Sequence, residues 1–205
     1  SLIWMLPGNE DFFRAYEIAK KSGIRDINVD LIAGLPYEDL ESFKKSFDDV
    51  YALKPEQLQL GFLKLLYGAD MREKPEQYPC EYSKNPPYEV LSTPWLSADE
   101  IKMLKNCEDA VDRLYNSGRF LFTLEYLTEE VGISPFDIFN DFGNTVNGSK
   151  MKLCDYAEKL YNFFITKCDK EILREKIPLI TYFINYRQSI QCSWKTDIRQ
   201  YDRNC

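Results

Sequence analysis

The chain contains no histidine. That removes the commonest general base near neutral pH and the commonest zinc and copper ligand. Serine or cysteine hydrolysis through a histidine partner is excluded within this chain. No apolar run reaches the length of a membrane span, and no secretory signal is visible. The six cysteines are Cys80, Cys107, Cys154, Cys168, Cys192 and Cys205, and no two are close enough for a CxxC pair. Their scatter does not suggest a disulfide framework and reads as reduced thiols of a cytoplasmic protein. A basic surplus is missing too: 26 Lys and Arg stand against 33 Asp and Glu, a net charge of −7. Neither half is basic, with 11 basic and 16 acidic side chains in residues 1–96 and 15 and 17 in residues 97–205. Nucleic-acid binding, which needs a basic face, is therefore not expected, and neither is membrane association. At 44% hydrophobic and 15% aromatic the chain has enough apolar material for a packed core, in one large domain or two small ones.

The most informative stretch that is present runs Asp26-Ile-Asn-Val-Asp-Leu-Ile-Ala-Gly-Leu-Pro-Tyr-Glu-Asp39. Ile27, Val29, Leu31, Ile32 and Ala33 form a short, partly β-branched apolar run, as in a strand covered on both faces. Gly34 permits a turn or a close approach that a Cβ would block. Pro36 suits a first helical turn, and Glu38 and Asp39 place negative charge at a helix's positive end, Glu38 serving as a cap. Leu40, Phe43, Phe47, Val50 and Tyr51 then recur at helical spacing, until Leu53-Lys54-Pro55 stops the helix. Gln57 to Phe62 alternates with the period of a strand and runs on through Leu63-Lys64-Leu65-Leu66. Strand, helix and strand make a βαβ unit, parallel and right-handed. Upstream, Asp11–Ser22 reads as a helix stopped by Gly23, so the chain begins α-β-α-β. Ligands of such folds sit at the carboxyl ends of the strands, where the Gly-Leu-Pro turn lies.

Asp30-Leu-Ile-Ala-Gly-Leu-Pro-Tyr-Glu38, followed by the strand Leu58–Leu66 and then Tyr67-Gly68, resembles the last third of a radical SAM partial barrel. The resemblance is nearest to the cobalamin-binding radical SAM proteins that carry a helical C-terminal domain of unknown function. It is motif-grade over residues 26–71 and looser, through Pro86-Pro87-Tyr88-Glu89, to about residue 190. It implies that Ile32, Gly34, Leu35 and Pro36 line the adenine of S-adenosylmethionine, with Phe62 and Leu63 opposite. It implies a 4Fe–4S cluster, and cobalamin, in the intact protein. The turn Gly68-Ala69-Asp70 departs from the family's usual Gly-Thr.

The three-cysteine CxxxCxxC that holds the cluster in this family is absent. The chain also starts at Ser1 rather than Met, so it reads as the C-terminal part of a longer enzyme. Its first partner would then be the missing N-terminal part of its own chain. A fragment without the cluster is expected to bind none of these cofactors and to be inactive. Self-association through the free side of the Asp26–Ala33 strand is a further expectation, unless helix 11–22 folds back over the gap. For the intact protein the resemblance implies an iron–sulfur oxidoreductase or methyltransferase acting on a small molecule, with a tetrapyrrole-cyclase type as one form.

The expected fold is mixed α/β and predominantly helical: a barrel remnant over 1–71, a Pro- and Tyr-rich connector over 72–96, and an all-helical domain over 97–205. Ser97-Ala-Asp-Glu100 is a capping box, and Leu104, Cys107, Val111 and Leu114 give the stripe of a helix stopped at Gly118. Residues 119–131 read as a second helix or an entry into one. Ser134-Pro135 opens a helix to about Asp141, with a polar loop from Asn144 to Ser149. Met151–Cys168 is a long helix; Asp169 caps another that Pro178 breaks; Leu179–Tyr186 is apolar on most sides, and a polar tail follows. Cys107 and Cys154 read as core residues, and the aromatic stripe of Tyr156, Tyr161 and Phe164 as helical packing. The non-catalytic alternative is that residues 97–205 form a helical module that docks a partner or shields the barrel mouth. Asp30 is a candidate polar group within the strand.

Overall fold

The structure is a computed structural model describing residues 3–4, 10–149 and 152–167. It is a mixed α/β fold that is mainly helical. Three parallel strands, β1 (Ile3–Trp4), β2 (Asn28–Ala33) and β3 (Gln57–Phe62), lie in sequence order, joined by the crossover helices α1 (Glu10–Lys21) and α2 (Leu40–Ala52). The adjacent, parallel βαβ unit read from residues 26–66 is therefore present. The opening is β-α-β-α-β rather than α-β-α-β. β1 pairs Ile3 with Val29 and Trp4 with Asp30, so it occupies the side of β2 expected to be free. A two-residue strand carries too little periodicity to be read from sequence.

Register fixes what each strand residue faces. Val29, Leu31 and Ala33 of β2 and Leu58, Leu60 and Phe62 of β3 are buried together with Phe12 and Tyr16 of α1 and Phe43, Phe47 and Val50 of α2. Burial of each of the larger of these side chains contributes roughly 1.5–3 kcal/mol. The alternate residues Asp30, Ile32, Gln59 and Gly61 share the opposite face, paired as Asp30–Gln59 and Ile32–Gly61. That face is open: Asp30, Ile32 and Gly61 are half-buried and Gln59 is exposed. At the outer edge of β3, Asn116 takes the place of a further strand. Its Oδ1 accepts from the Leu58 N–H at 2.9 Å and its Nδ2 donates to the Leu58 carbonyl at 2.8 Å.

β3 ends at Phe62, earlier than Leu66, because its neighbour turns away at Gly34. Leu63 and Leu65 find new partners in the connector: the Val90 N–H donates to the Leu63 carbonyl at 2.8 Å and the Leu65 N–H to the Tyr88 carbonyl at 2.9 Å. The connector is structured, with a short helix α3 (Asp70–Glu73) before it and an antiparallel hairpin of β4 (Glu81–Tyr82) and β5 (Val90–Ser92) within it.

Beyond it, α4 (Ala98–Val111) starts on the capping box of Ser97 and Glu100 and continues as a π turn, Asp112–Asn116. Helix α5 (Leu121–Glu125) and a second π turn (Tyr126–Glu130) lead to α6 (Pro135–Val146). α6 passes Asp141 and runs to a left-handed Asn147, so residues 144–146 are helical rather than loop. The apolar phase explains this, since Phe142 and Val146 continue the buried stripe of Phe136, Ile138 and Phe139. α7 (Leu153–Lys167) follows, with Tyr156, Ala157 and Leu160 buried. Asp169, Pro178, Leu179–Tyr186 and the tail lie outside the described residues, as does the side chain of Cys154.

α2 sets the position of α6. Asp48 accepts from the Ser134 hydroxyl and from the Phe136 N–H, both at 2.8 Å, so α6 is capped from a neighbouring helix as well as by its own Ser134. Such a cap is worth about 1–2 kcal/mol. Lys44 and Asp137 pair at 2.8 Å beside it. α4 and α6 touch through backbone: a Cβ on Gly143 would stand 2.2 Å from the Asn106 carbonyl oxygen. One continuous apolar core, from Phe12 to Phe163, crosses both residue 71 and residue 97.

Candidate functional site at the carboxyl ends of the strands

Two loops leave the carboxyl ends of β2 and β3, residues 34–39 and 63–69. Gly34 adopts φ +89°, where a side chain is strained. A Cβ there would meet Val90 Cγ1 at 2.8 Å. The missing side chain thus admits Val90 of the hairpin, and Gly34 is itself buried. Tyr37 follows at φ +66°, an uncommon conformation for a bulky residue. It is 72% exposed and packs its ring on Trp95, with centroids 4.7 Å apart.

The two acidic residues of this turn divide their work differently from the sequence expectation. Asp39, not Glu38, is the N-cap of α2, accepting from the Ser42 N–H at 2.9 Å. That hydrogen bond holds the Asp39 carboxyl below its ordinary range. Glu38 is 4% exposed, and its Oε2 has no hydrogen-bond partner. Burial, and then the charge of Asp39, push its pKa up to about 7. Asp30, on the open face of β2, likewise keeps a buried Oδ1 without a partner, and burial raises its pKa. Nothing local in the sequence distinguishes Glu38 from a second cap. Its burial follows from Asp39 taking the capping position.

The six residues expected around adenine do not all face one way. Ile32 lies on the open face beside Gly61. A Cβ on Gly61 would approach only the Leu31 carbonyl oxygen, at 3.7 Å, so the strip of sheet next to Ile32 is clear. Leu35, Pro36 and Leu63 are half-buried at the same end. Phe62 points to the other face: it pairs in register with Ala33, is 6% exposed, and has the Lys105 ammonium of α4 5.3 Å from its ring centroid. Phe62 and Ile32 therefore stand on opposite sides of the sheet, as a period of two requires. Lys105 is in turn ion-paired with Glu89.

A group that no sequence pattern marked sits after β3. Arg72 Nη1 donates to the Leu65 carbonyl at 2.8 Å. Its guanidinium carbon lies 3.6 Å from the ring centroid of Tyr67, 4.8 Å from that of Tyr88 and 5.4 Å from that of Tyr82. The Tyr67 and Tyr88 rings meet edge to face at 5.4 Å. A hydrogen bond to Tyr67 raises the pKa of the Tyr88 hydroxyl. Tyr82 and Tyr88 flank the β4–β5 connection whose Val90 fills Gly34, so one hairpin caps both loops.

Residues 76–204 match the family described as "Protein of unknown function (DUF4080)". The chain belongs to this family. The match takes in the hairpin, Trp95 and all of α4 to α7, whereas Ile32 to Leu63 and Arg72 precede it. The DUF4080 segment thus contributes Tyr82, Tyr88, Val90, Trp95 and Lys105 to the carboxyl end of a sheet that lies ahead of it. Over 69 residues, 34% of this chain, it is 30% identical to the oxygen-independent coproporphyrinogen-III oxidase-like protein HemZ of Bacillus subtilis (strain 168). The chain spans 14% of that protein's length. Both matches fit the C-terminal part of a radical SAM protein, and neither bears on cobalamin.

Among the described residues no group of His, Cys, Asp or Glu is placed to hold a metal ion. Cys107 is fully buried in the core, and burial holds its thiol protonated. No helix among the described residues is long and apolar enough to cross a membrane.

Proposed function

We propose that residues 1–71 are the end of a radical SAM barrel and that Ile32, Gly61, Leu35, Pro36 and Leu63 receive the adenine of S-adenosylmethionine. One observation carries the reading. On the open face of parallel strands, Ile32 lies next to a glycine whose side-chain position is clear, with the unpartnered Asp30 Oδ1 on the same strand and face. An apolar floor beside an unsatisfied acceptor suits a flat heterocycle with amino donors. When bound with its iron–sulfur cluster, S-adenosylmethionine supplies reductive cleavage to a radical. This chain's residues would orient the adenine: Ile32 and Leu63 by contact, Asp30 by accepting a hydrogen bond. Gly34 and Phe62 act at one remove, Gly34 by admitting Val90 and Phe62 by packing under α4.

The cluster has no ligand set in this chain's cysteine spacing, so no step is assigned to it. Cobalamin use belongs to the proposal on the strength of the resemblance at Asp30–Glu38. A tetrapyrrole substrate belongs to it through the HemZ-like protein's name. A cytoplasmic location is supported by the free thiols of Cys80 and Cys107. The test is a titration of the 205-residue chain with 5′-deoxyadenosine, followed by the Ile32 methyl and Leu35 amide NMR signals. A saturable shift of both is expected, weakened about tenfold, or about 1.4 kcal/mol, in Gly61→Ala. No saturable shift at either group sinks the assignment.

A further inference from the structure

Among the described residues, Arg72 is a cation with no carboxylate partner. Among the described residues the ion pairs join Lys21, Lys44, Lys45, Lys54, Lys74, Lys105 and Arg113 to acidic partners, and none involves Arg72. Arg25 and Arg119 are in no ion pair among the described residues either, but both are exposed, whereas Arg72 is half-buried and has Asp70 and Glu73 in its own short helix. Asp70 is instead bound to Lys74 at 2.8 Å. The guanidinium is held still. The Leu65 carbonyl fixes Nη1, and Tyr67 lies against its face at 3.6 Å. A guanidinium carries five N–H donors in a planar fork, and among the described residues the Leu65 carbonyl is the acceptor it has.

Stacking alone accounts for part of this. Arg72 brackets the loop after β3 to the hairpin, and a cation over exposed aromatic rings contributes about 0.5–1 kcal/mol. A bracket does not need a fork, however, and it leaves unexplained what surrounds the site. Tyr67 is 73% exposed and Leu66 is 54% exposed beside it, an apolar approach to the caged cation. The cage also stands at the carboxyl end of β3, under the hairpin whose Val90 packs on Gly34 at the carboxyl end of β2.

We propose that Arg72 anchors an organic oxyanion, a carboxylate or phosphate, of a small ligand whose flat apolar body lies on Tyr67 and Leu66. The proposal rests on the reading that ligands enter at this end of the sheet, and it assigns the charge and shape of what enters. The oxyanion takes the free edge of the fork in a two-point, charge-assisted contact, which a point-charge ammonium does not reproduce. The rings hold the guanidinium in place before the ligand arrives and keep water off its face.

The test is a titration of the 205-residue chain with benzoate, phenyl phosphate and the neutral isostere benzamide, followed at the Arg72 Nε–Hε NMR signal. A saturable shift with an oxyanion and none with benzamide is expected. Whichever of benzoate and phenyl phosphate binds more tightly assigns the carboxylate or the phosphate source. Arg72→Lys keeps the charge and should melt with the parent while binding at least about tenfold more weakly. Should Arg72→Lys fail to fold, the shift in the parent chain decides alone. No saturable shift with either oxyanion, equal binding of benzamide, or undiminished binding by folded Arg72→Lys overturns the proposal. Titration of the same sample with 5′-deoxyadenosine separates the two readings. A shift at Ile32 with 5′-deoxyadenosine but none at Arg72 with either oxyanion removes the oxyanion anchor alone, and a shift at Arg72 with an oxyanion but none at Ile32 with 5′-deoxyadenosine removes the adenine assignment alone.

Discussion

The helical half of the molecule and the carboxyl end of its sheet use the same kinds of residue to different ends. Between α4 and α6 a glycine brings two backbones together, and the α6 N-terminus is satisfied by both Ser134 and Asp48. Among the described residues, the buried polar atom left over in α4 to α7 is the Tyr156 hydroxyl. On β2 and the loops after the strands, Asp30 Oδ1 and Glu38 Oε2 are buried without partners, Arg72 has no counter-charge among the described residues, and Tyr37, Leu66 and Tyr67 are exposed. Buried polar groups are normally paired, so unmet capacity on β2 and the two loops that follow the strands invites a ligand on that side of the molecule. The helical half is satisfied by its own packing; the sheet end keeps the capacity that the proposed ligands would meet.

Three perturbations sharpen that contrast. The largest effect is expected for Gly143→Ala. Its Cβ would collide with the Asn106 carbonyl, and separating α4 from α6 should cost about 3 kcal/mol or more in denaturant unfolding. A loss below about 1 kcal/mol would show that the helical half is not packed to its limit. Next comes Glu38→Gln. The Glu38 carboxyl is protonated in the folded chain up to about pH 7 but ionises near its ordinary value, 4.5, when unfolded. Stability should therefore fall as pH rises between those values, by up to about 3 kcal/mol at completion. Glu38→Gln escapes that loss: it should match the parent at pH 4 and exceed it at pH 8. A pH-independent difference would mean that Glu38 finds a partner. The smallest effect is expected for Gly61→Ala, where the added methyl makes only an ordinary contact with the Leu31 carbonyl oxygen at 3.7 Å. A strand gains slightly from losing a glycine, so stability should rise by roughly 0.5 kcal/mol while adenosine binding weakens. A destabilised Gly61→Ala would mean that the open face is covered.

What the sequence revealed followed locality. The Ser97–Glu100 box, the Ser134-Pro135 start, α2 and the β2–β3 pair are each written within a few residues, and the structure places them as read. β1 escaped because two residues have no period. The β4–β5 hairpin escaped because its prolines read as a connector, yet Pro86 and Pro87 fall between its strands and Pro75, Pro79 and Pro94 outside them. The far end of α6 escaped because Asn144 and Thr145 look like loop while Val146 keeps the buried phase. Around the proposed site, the alternation of β2 already places Ile32 on the face opposite Val29 and Leu31, and counting that alternation across the register puts Phe62 on the other side of the sheet. Arg72 could not be read at all, because its cage is assembled from Tyr67, Tyr82 and Tyr88, whose proximity arises only when the hairpin folds back.

The Asn116 amide on Leu58 has a consequence for how copies of this chain could meet. A ribbon of sheets propagates without limit only if every unit offers two usable edges. Here one edge ends on a side chain that imitates a strand for a single residue and then leads away into a helix. Among the described residues the side of β1 is the edge left for another strand, and a second copy joining there by the same edge would close a two-fold pair. A sheet extended on that side would stop at the pair, since the Asn116 edge offers no second place to add.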